Sequence, residues 1–358
     1  MKEAISIDKI RSKIDAIDEQ LLNLLNDRME WVKAIGEIKK SSNSTIYRPE
    51  REKAIVQKLS DLNTGKLNQQ AIEAIFLEIF AVSRNIELPE KIAYLGPDGS
   101  FTHQAAEARF GAMSEYIPLK NIQSVFEAVI TERVRYGLVP IENNQQGIVN
   151  ETVKLLSDSH INIVAEVPMA IHFSFASLNE NLKEIDKIYS KDIAFNQCGK
   201  FIEDYLSENV ELIPIESTSK AAKMASKDPR AAALCSHIAA KMYSLPILYD
   251  NIEDSPNNHT RFLIISDNYK NAVSGSDKTT ILAKNAGHPG SLVEFLQQFH
   301  DAGINLLKIE SYPAKEGKKF KYWFLIEFDG HYDDPNITPI MEKNQDVIKW
   351  LGSYPKLC

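Results

Sequence analysis

Residues 1–88 carry apolar side chains at intervals of three and four, the spacing of one face of an α-helix. The clearest run predicts a long amphipathic helix, and its apolar positions are Ile7, Ile10, Ile14, Ile17, Leu21, Leu24, Val32, Ile35 and Ile38. Pro49 marks the start of a second helix that runs to about Leu62, Asn68 caps a third, and Pro89 closes the block. The long first helix leaves apolar surface that one copy cannot cover. We therefore expect a homodimer or a higher homo-oligomer.

From Lys91 the hydrophobic period changes to that of short strands, with helical patterns between many of them. The predicted strands are Lys91–Leu95, Glu115–Leu119, Tyr136–Ile141, Ile161–Val167, Ile171–Ala176, Lys187–Tyr189, Val210–Ile215, Ala231–Leu234 and Arg261–Ile265. This alternation indicates α/β architecture. The polar stretch from Asp267 to Asp277 indicates a linker.

Beyond the linker, the pattern predicts the order βαββαβ. Its clearest elements are strands Thr279–Ala283, Ile304–Ser311, Tyr322–Phe328 and Val347–Leu351 and a helix at Ser291–Ala302. The fold class is therefore multidomain, α and α/β. We place the domains at residues 1–88, 91–268 and 278–358.

Composition narrows the classes of function. Hydrophobic residues make up 44% of the chain and charged residues 25%, as in an ordinary globular protein. A net charge of −8 argues against a nucleic-acid partner or an anionic membrane. The start lacks the apolar core of a signal peptide, and no run is long enough to span a membrane. The three cysteines show neither metal-binding spacing nor a CxxC pair, so we expect a cytoplasmic protein without a metal or cofactor.

One stretch suggests a binding site in the α/β region. The apolar run that ends at Ile141 breaks into a polar turn before a helical pattern, which delivers Glu142 and Asn143 to the carboxyl end of a strand. Open α/β sheets bind their ligands at that edge, and the N–H groups of the next helix suit an anion. The alternative is an ordinary connection whose polar residues only cap the helix.

The cations of the first helix suggest a second site. Arg11 and Arg28 are 17 positions apart, roughly 25 Å along a helix, so one small molecule cannot touch both within one helix. Arg28 and Lys39 are 11 positions apart and nearly in phase, so both side chains could close on one anion. Arg11 would then serve the pocket of a dimer partner. The alternative is that all three are solvated surface charges.

Six polar positions in residues 1–88 fall at the spacing of the all-helical chorismate mutase family, an intertwined three-helix dimer. They are Arg11, Arg28, Lys39, Arg51, Glu52 and Ser83. The segments Leu21–Arg28 and Tyr47–Glu52 also resemble this family. The resemblance implies the rearrangement of chorismate to prephenate, a pericyclic reaction in which the protein supplies positioning and electrostatics.

The same resemblance implies a role for each side chain. The three arginines would bind the two carboxylates of the substrate, because a guanidinium offers a fork that matches a carboxylate. Lys39 would face the ether oxygen, Glu52 would accept a hydrogen bond from the ring hydroxyl, and Ser83 would support a carboxylate. Glu87 stands where many members have a glutamine that donates to the ether oxygen, so it must be protonated to help or must point away. Arg48 stands where some members have an acidic residue.

Residues 91–268 resemble prephenate dehydratase. The motifs that carry the resemblance, in family order, are Gly96–Thr102, Val139–Gly147, Gln197-Cys198, Glu216–Ser219 and Asn258–Phe262. The family fold is two α/β lobes around a cleft, similar to periplasmic binding proteins, and we expect the second lobe at about residues 171–240. The implied reaction removes carbon dioxide and the ring hydroxyl from prephenate and gives phenylpyruvate.

Departure of hydroxide is the slow part of that reaction and requires a proton donor near the leaving oxygen. By resemblance the donor is Thr260, although a threonine hydroxyl is a weak acid and orientation of the leaving group is an alternative role. Arg261 would be either a carboxylate ligand or a structural ion-pair partner. The cleft-lining residues that the resemblance implies are Glu142, Asn143, Ser190, Gln197 and Glu216. Cys198, without a base beside it, is expected to be a packed thiol.

Residues 278–358 resemble an ACT domain, a regulatory module that pairs across a dimer and holds an amino acid. The segments Gly287–Val293 and Glu310–Pro313 stand where phenylalanine-binding members carry two signature motifs. The implied regulatory residues are Gly290, Ser291, Leu292, Glu310 and Ser311. Tyr312 replaces the arginine that is usual in those members, so an ACT pair that only dimerises is the alternative to phenylalanine binding.

Together these resemblances predict a bifunctional chorismate mutase/prephenate dehydratase of phenylalanine biosynthesis, with phenylalanine as the inhibitor. The rival hypothesis is a non-catalytic amino-acid sensor made of the same three modules. A sensor does not need Arg28, Lys39 and Glu52 together with Thr260, and this chain has all four.

Overall fold

The computed structural model describes residues 6–42, 47–87, 89, 91–206, 209–267, 269–284, 288–314 and 321–356. The first unit consists of helices α1 (Ile7–Ser42), α2 (Pro49–Leu62) and α3 (Gln69–Glu87). Pro49 opens α2, and the Asn68 side chain accepts from Ala71 N–H at 2.8 Å, as the predicted cap requires. Within the described ranges, no helix has the length and apolar content needed to cross a membrane.

Most of the apolar face of α1 is exposed in one copy of the chain. The side chains of Ile7, Ile10, Ile14, Ile17, Leu21 and Leu24 are between 47% and 68% exposed. Val32, near the other end of the helix, is buried. An apolar stripe of this length is unusual on a solvated surface. We expect a second copy of the chain to cover this surface in the homodimer. The dimer stays a prediction.

The middle unit contains two β-sheets. Its strands are β1 (Lys91–Leu95), β2 (Glu115–Leu119), β3 (Tyr136–Asn143), β4 (Gly147–Ile148), β5 (Ile161–Ala170), β6 (Ser174–Ser177), β7 (Lys187–Ser190), β8 (Glu211–Pro214), β9 (Ala231–Cys235), β10 (Ile247–Tyr249) and β11 (His259–Asp267). Its helices are α4 (Phe101–Phe110), α5 (Ile122–Ile130), α6 (Asn150–Asp158), α7 (Asp192–Gln197), α8 (Gly199–Tyr205), α9 (Thr218–Ala225) and α10 (His237–Met242).

Each sheet is the centre of one lobe. The first has the order β2-β1-β3-β11-β5, with β4 paired to β3, and the second has the order β10-β6-β9-β7-β8. Strands β1, β2 and β3 run parallel, and so do β7, β8 and β9. Strand β11 returns from the second lobe and pairs antiparallel with β3 and β5. Its first residues therefore lie at the same edge as the carboxyl end of β3.

The crossing between the lobes corrects two predictions. The strand predicted to begin at Ile171 begins at Ser174, because residues 171–173 cross between the lobes: Ile171 N–H donates to Asn258 O and Phe173 N–H to Glu253 Oε2. The second lobe also extends past residue 240, since β10 pairs with β6.

The last unit contains β12 (Asp277–Lys284), α11 (Ser291–Asp301), β13 (Leu306–Ala314), β14 (Lys321–Asp329), α12 (Thr338–Lys343) and β15 (Ile348–Pro355). This is the order βαββαβ, and the antiparallel sheet has the order β13-β14-β12-β15.

One face of this sheet packs on its own helices, and the other packs on the first lobe. Ile281 belongs to the core with Phe299 of α11, whereas the next residue, Leu282, belongs to a core with Ile163 and Leu263 of the first lobe. This alternation is the period of a strand buried on both faces. At Gly352 of β15 a Cβ atom would collide with Ile163 O, so the two backbones are in direct contact.

The predicted linker is packed between these units. Tyr269 is buried, and its hydroxyl donates to Tyr47 O at 2.8 Å. The Asn271 amide donates to Val164 O and to Ser353 O, both at 2.8 Å. The polar side chains that suggested a flexible connection instead satisfy buried carbonyl groups.

Candidate active sites

Helices α1, α2 and α3 enclose a cavity of about 190 Å3. It brings together six of the side chains selected from the sequence: Arg28, Lys39, Arg51, Glu52, Ser83 and Glu87. Arg48 also contributes to the lining, whereas Arg11 does not. Arg11 lies more than four turns from Arg28 along α1, as the sequence requires.

Two contacts link α1 to α3 across this cavity. Arg28 Nη1 donates to Ser83 Oγ at 2.5 Å, and Lys39 Nζ forms an ion pair with Glu87 Oε2 at 2.8 Å. Burial lowers the pKa of the Arg28 guanidinium from its usual value, and the neighbouring Arg51 acts in the same direction. Glu87 lines the cavity in contact with Lys39, and its role in the reaction stays a prediction.

Glu52 is held by two arginines that the sequence reasoning missed. Its Oε1 is bound by Arg84 Nη1, and its Oε2 lies 3.5 Å from Arg109 Nη2 of α4. The position of Arg84, four residues after buried Phe80 on α3, is a signal that could have found it. The sequence carries no comparable signal for Arg109, because it comes from a different unit of the chain.

In the middle unit, a chain of hydrogen bonds joins the two lobes at the edge formed by β3 and β11. Asn143 Nδ2 donates to Thr260 Oγ1 at 2.8 Å and to Asn258 Oδ1 at 3.0 Å. Asn258 Nδ2 donates to Gln197 Oε1 at 3.3 Å, and Gln197 Nε2 donates to Gln145 Oε1 at 2.6 Å. Asn143, Gln197 and Thr260, selected from separate motifs, thus belong to one polar cluster. Gln145 and Asn258 were not selected, although both lie inside the quoted motifs.

A cavity of about 940 Å3 lies between the turn after β1 and the turn before α9. Its lining includes Gly96 to Asp98, Glu216, and the lysines Lys120, Lys220, Lys223 and Lys227. Glu216 is largely exposed and pairs with Lys220 at 3.0 Å. The lysines make this part of the cleft attractive to carboxylates.

Two predicted cleft residues lie elsewhere. Ser190 is fully buried and its hydroxyl donates to Leu234 O at 2.7 Å, so it is closed to a substrate in this structure. Glu142 pairs in register with Arg261, as Asn143 does with Thr260. Neighbouring residues of a strand face opposite sides of the sheet, and Glu142 faces the C-terminal unit, where Lys308 Nζ binds it. In this structure neither side chain contacts the cluster of Asn143, Gln197 and Thr260, and the roles of Ser190 and Glu142 stay predictions.

The sequence left two roles open for Arg261, a ligand of the substrate carboxylate and a structural ion-pair partner. In this structure Arg261 forms ion pairs. Its Nη2 donates to Glu142 Oε2 at 3.1 Å, and its Nη1 donates to both carboxylate oxygens of Glu327 of β14 at 2.7 Å. Burial opposes the charge on Arg261, but Glu327 and its other anionic neighbours raise the pKa of the guanidinium. Burial alone would raise the pKa of Glu142, yet Lys308 and Arg261 outweigh it and hold that pKa below its usual value.

Cys198 is buried in the core of the second lobe, and burial raises the pKa of its thiol. This environment agrees with a packed thiol and not with a nucleophile.

The regulatory residues lie on two different elements of the C-terminal unit. Gly290, in the left-handed conformation with φ +86°, precedes Ser291 at the start of α11. Ser291 and Leu292 line a cavity of about 210 Å3. Glu310 and Ser311 lie on β13, which β14 separates from β12.

Comparison with known proteins gives one family model for the helical unit and one for the middle unit. The family model for chorismate mutase type II matches residues 10–88, and the family model for prephenate dehydratase matches residues 92–270. A bifunctional chorismate mutase/prephenate dehydratase of Aquifex aeolicus is 41% identical over 97% of both chains. The chain belongs to this bifunctional family. A second member, from Stutzerimonas stutzeri, is 36% identical over 99% of both chains.

Both enzyme activities predicted from the sequence are thereby confirmed, and the non-catalytic sensor is set aside. A solved structure of prephenate dehydratase from Arthrobacter aurescens, in complex with L-Phe, is 29% identical to this member of the family with a TM-score of 0.65. It covers 74% of this chain and 90% of its own. Prephenate dehydratase from Staphylococcus aureus has a TM-score of 0.64 at 24% identity, and so shares the fold.

Proposed function

We propose that the cavity between α1, α2 and α3 is the site of the chorismate rearrangement and that the polar cluster of Asn143, Gln197 and Thr260 is the site of prephenate dehydration. One observation carries this assignment: side chains chosen from separated motifs converge at two places, with Arg28 on Ser83 and Asn143 on Thr260. The two places lie in different units of the chain, so the two reactions use separate side chains.

In the mutase site, Arg28 and Arg51 bind the substrate carboxylates, and Arg11 of a second copy completes the grip. Lys39 stabilises the ether oxygen as negative charge develops there during C–O cleavage. The contact of Glu87 with Lys39 fixes the ammonium group on the α3 side of the cavity. Glu52 accepts the hydrogen bond of the ring hydroxyl. The rearrangement moves no group on or off the protein, so orientation and charge account for the whole contribution of the site.

In the dehydratase site, the direction of one hydrogen bond supports the role of Thr260 as a donor. Asn143 Nδ2 can only donate, so Thr260 Oγ1 accepts and its own proton remains available for another acceptor. That acceptor is the departing hydroxyl oxygen of prephenate. The bond from the ring carbon to this oxygen breaks and the oxygen leaves as water. The electron pair of the breaking bond to the carboxylate enters the ring, carbon dioxide leaves, and the ring becomes aromatic. A proton from solvent restores the Thr260 hydroxyl. The lysines of the 940 Å3 cavity, which Glu216 also lines, attract the carboxylates of the substrate to the cleft.

The C-terminal unit is proposed to be an ACT module that binds phenylalanine between two copies. The βαββαβ order and the sheet order support the module. The Arthrobacter relative, solved with L-Phe, supports phenylalanine as the ligand.

The assignment is tested by supplying purified protein with chorismate or with prephenate and measuring prephenate and phenylpyruvate separately. We expect chorismate to give both products in sequence. A chain that forms phenylpyruvate from prephenate but leaves chorismate unchanged would contradict the mutase assignment alone.

A further inference from the structure

We propose that Arg109, which lies on helix α4 of the dehydratase lobe, is a positioning residue for the mutase reaction. It acts through Glu52, and the inference therefore rests on the proposed role of Glu52 as the acceptor for the ring hydroxyl of chorismate. The mutase pocket would then be completed by the neighbouring catalytic unit of the same chain.

The carboxylate of Glu52 is buried, so each of its oxygens needs a hydrogen-bond donor or a cation beside it. Arg84 of α3 binds Oε1. Among the described residues Oε2 accepts no hydrogen bond, and the guanidinium of Arg109 lies 3.5 Å from it. A buried carboxylate without a nearby cation is costly, so Arg109 stabilises the ionised form in its present orientation.

Arg109 itself has little freedom to move. Its Nε donates to the Tyr47 hydroxyl at 2.6 Å, and its guanidinium lies 5.4 Å from the centre of the Tyr47 ring. Tyr47 is fully buried against the rings of Phe110 and Tyr136, at 5.0 and 5.5 Å. A cation fixed in this way can orient a carboxylate without losing further side-chain entropy.

The backbone contact between α3 and α4 keeps this geometry. Gly111, with φ +82°, ends α4, and a Cβ atom there would collide with Ala81 Cβ of α3. One turn from Ala81, Arg84 Nη2 donates to Phe110 O at 3.0 Å. One wall of the mutase pocket is therefore built directly on the end of a dehydratase helix.

Loss of Arg109 should impair the mutase through Glu52. In the full-length Arg109→Gln variant, we expect kcat/KM for chorismate to fall by roughly ten- to a hundredfold, the scale of leaving one oxygen of a buried charged group without its cation. Arg109→Lys, which keeps the positive charge, should recover part of this loss. Dehydration of added prephenate should change much less than the mutase reaction.

A matched control lies on the same helix. Glu107 pairs with Lys241 on the far side of α4, so Glu107→Gln should leave mutase kinetics unchanged. If Arg109→Gln proves too unstable to assay, Tyr47→Phe removes only the hydroxyl that holds Arg109 and should give a smaller mutase loss in the same direction.

A double-variant comparison decides the mechanism. If Arg109 acts through Glu52, Arg109→Gln should cause no further mutase loss in a Glu52→Gln background. A full additional loss in that background, or normal mutase kinetics in a folded Arg109→Gln chain, would overturn the inference. Normal mutase activity in Glu52→Gln alone would instead refute the proposed role of Glu52.

Discussion

Arg261 donates from one nitrogen to both carboxylate oxygens of Glu327, at 2.7 Å each, and so joins the dehydratase lobe to the C-terminal sheet. Glu166 and Lys278 complete the inner part of this charge cluster, and Lys308 closes it on Glu142. The six side chains carry three positive and three negative charges. The cluster is therefore neutral as a whole, which is the condition for burying charges at an interface.

Removing one cation from this cluster should destabilise the chain. We expect Arg261→Met to lower the free energy of unfolding by about 3–5 kcal/mol, because the buried cluster then holds three carboxylates and only two cations, Lys278 and Lys308. Arg230 forms a solvent-exposed pair with Asp186, so the control Arg230→Met should cost no more than about 1 kcal/mol. Denaturant unfolding of both variants provides the comparison. Equal losses would show that the buried cluster contributes no more than a surface pair.

The lowered pKa of Glu142 predicts a specific loss of stability in acid. A carboxyl group whose folded pKa lies below its unfolded value contributes stability above the unfolded pKa, near 4.5, and loses it as pH falls through the folded pKa. We expect Glu142→Gln to be less stable than the native chain at pH 7. The difference should shrink as pH falls below 4.5, because the native side chain then also becomes neutral. A difference that is constant from pH 7 to pH 3 would contradict this linkage.

The position of Glu142 also shows what the sequence could and could not predict. The apolar run of β3 placed Glu142 and Asn143 at a strand end, as observed. Strand alternation alone implied that Glu142 and Asn143 face opposite sides of the sheet. Only the packing of β13 showed that Lys308 lies on the side of Glu142.

Elsewhere, the sequence failed mainly to predict contacts between residues from distant parts of the chain. The helices of residues 1–88 and the strands β1 and β2 follow local periodicity, so the predicted bounds agree closely with the structure. Arg109 and Ser190 depend on what packs against them from distant parts of the chain. Residues 171–173 are apolar like a strand, yet they bond across the crossing between the lobes. Local pattern carries no information on these partners.

Thr260 should affect one reaction only. Thr260→Ala is expected to lower kcat for prephenate by about 10²–10⁴-fold, the range for loss of a positioned proton donor, while chorismate conversion stays near normal. Thr260→Ser keeps the hydroxyl and should retain part of the activity. Arg28→Ala should show the opposite selectivity and remove the mutase reaction. Equal loss of both reactions in Thr260→Ala would indicate misfolding.

Phenylalanine should bind the C-terminal unit and inhibit the dehydratase. Binding at a site shared by two copies can inhibit only by favouring one arrangement of the chain over another. We expect heat on calorimetric titration with phenylalanine and a matching inhibition of phenylpyruvate formation. Gly290→Val should abolish both effects and leave the uninhibited rate unchanged, because the left-handed turn before α11 excludes a β-branched residue. No heat and no inhibition at millimolar phenylalanine would mean that the unit only dimerises or binds another ligand.

Glu87 should limit the mutase reaction. Its Oε2 accepts from Lys39 Nζ at 2.8 Å, so the side chain lies beside the cation proposed to face the ether oxygen. An ionised carboxylate there repels the charge that develops on that oxygen, whereas a protonated carboxyl or an amide can donate to it. Glu87→Gln should therefore increase kcat at pH 8 by roughly three- to tenfold, because the amide carries no charge and can donate to that oxygen. Glu87→Ala is the control, because it removes the repulsion, and the contact with Lys39, without adding a donor. An unchanged kcat in Glu87→Gln would show that the charge of Glu87 does not oppose the reaction.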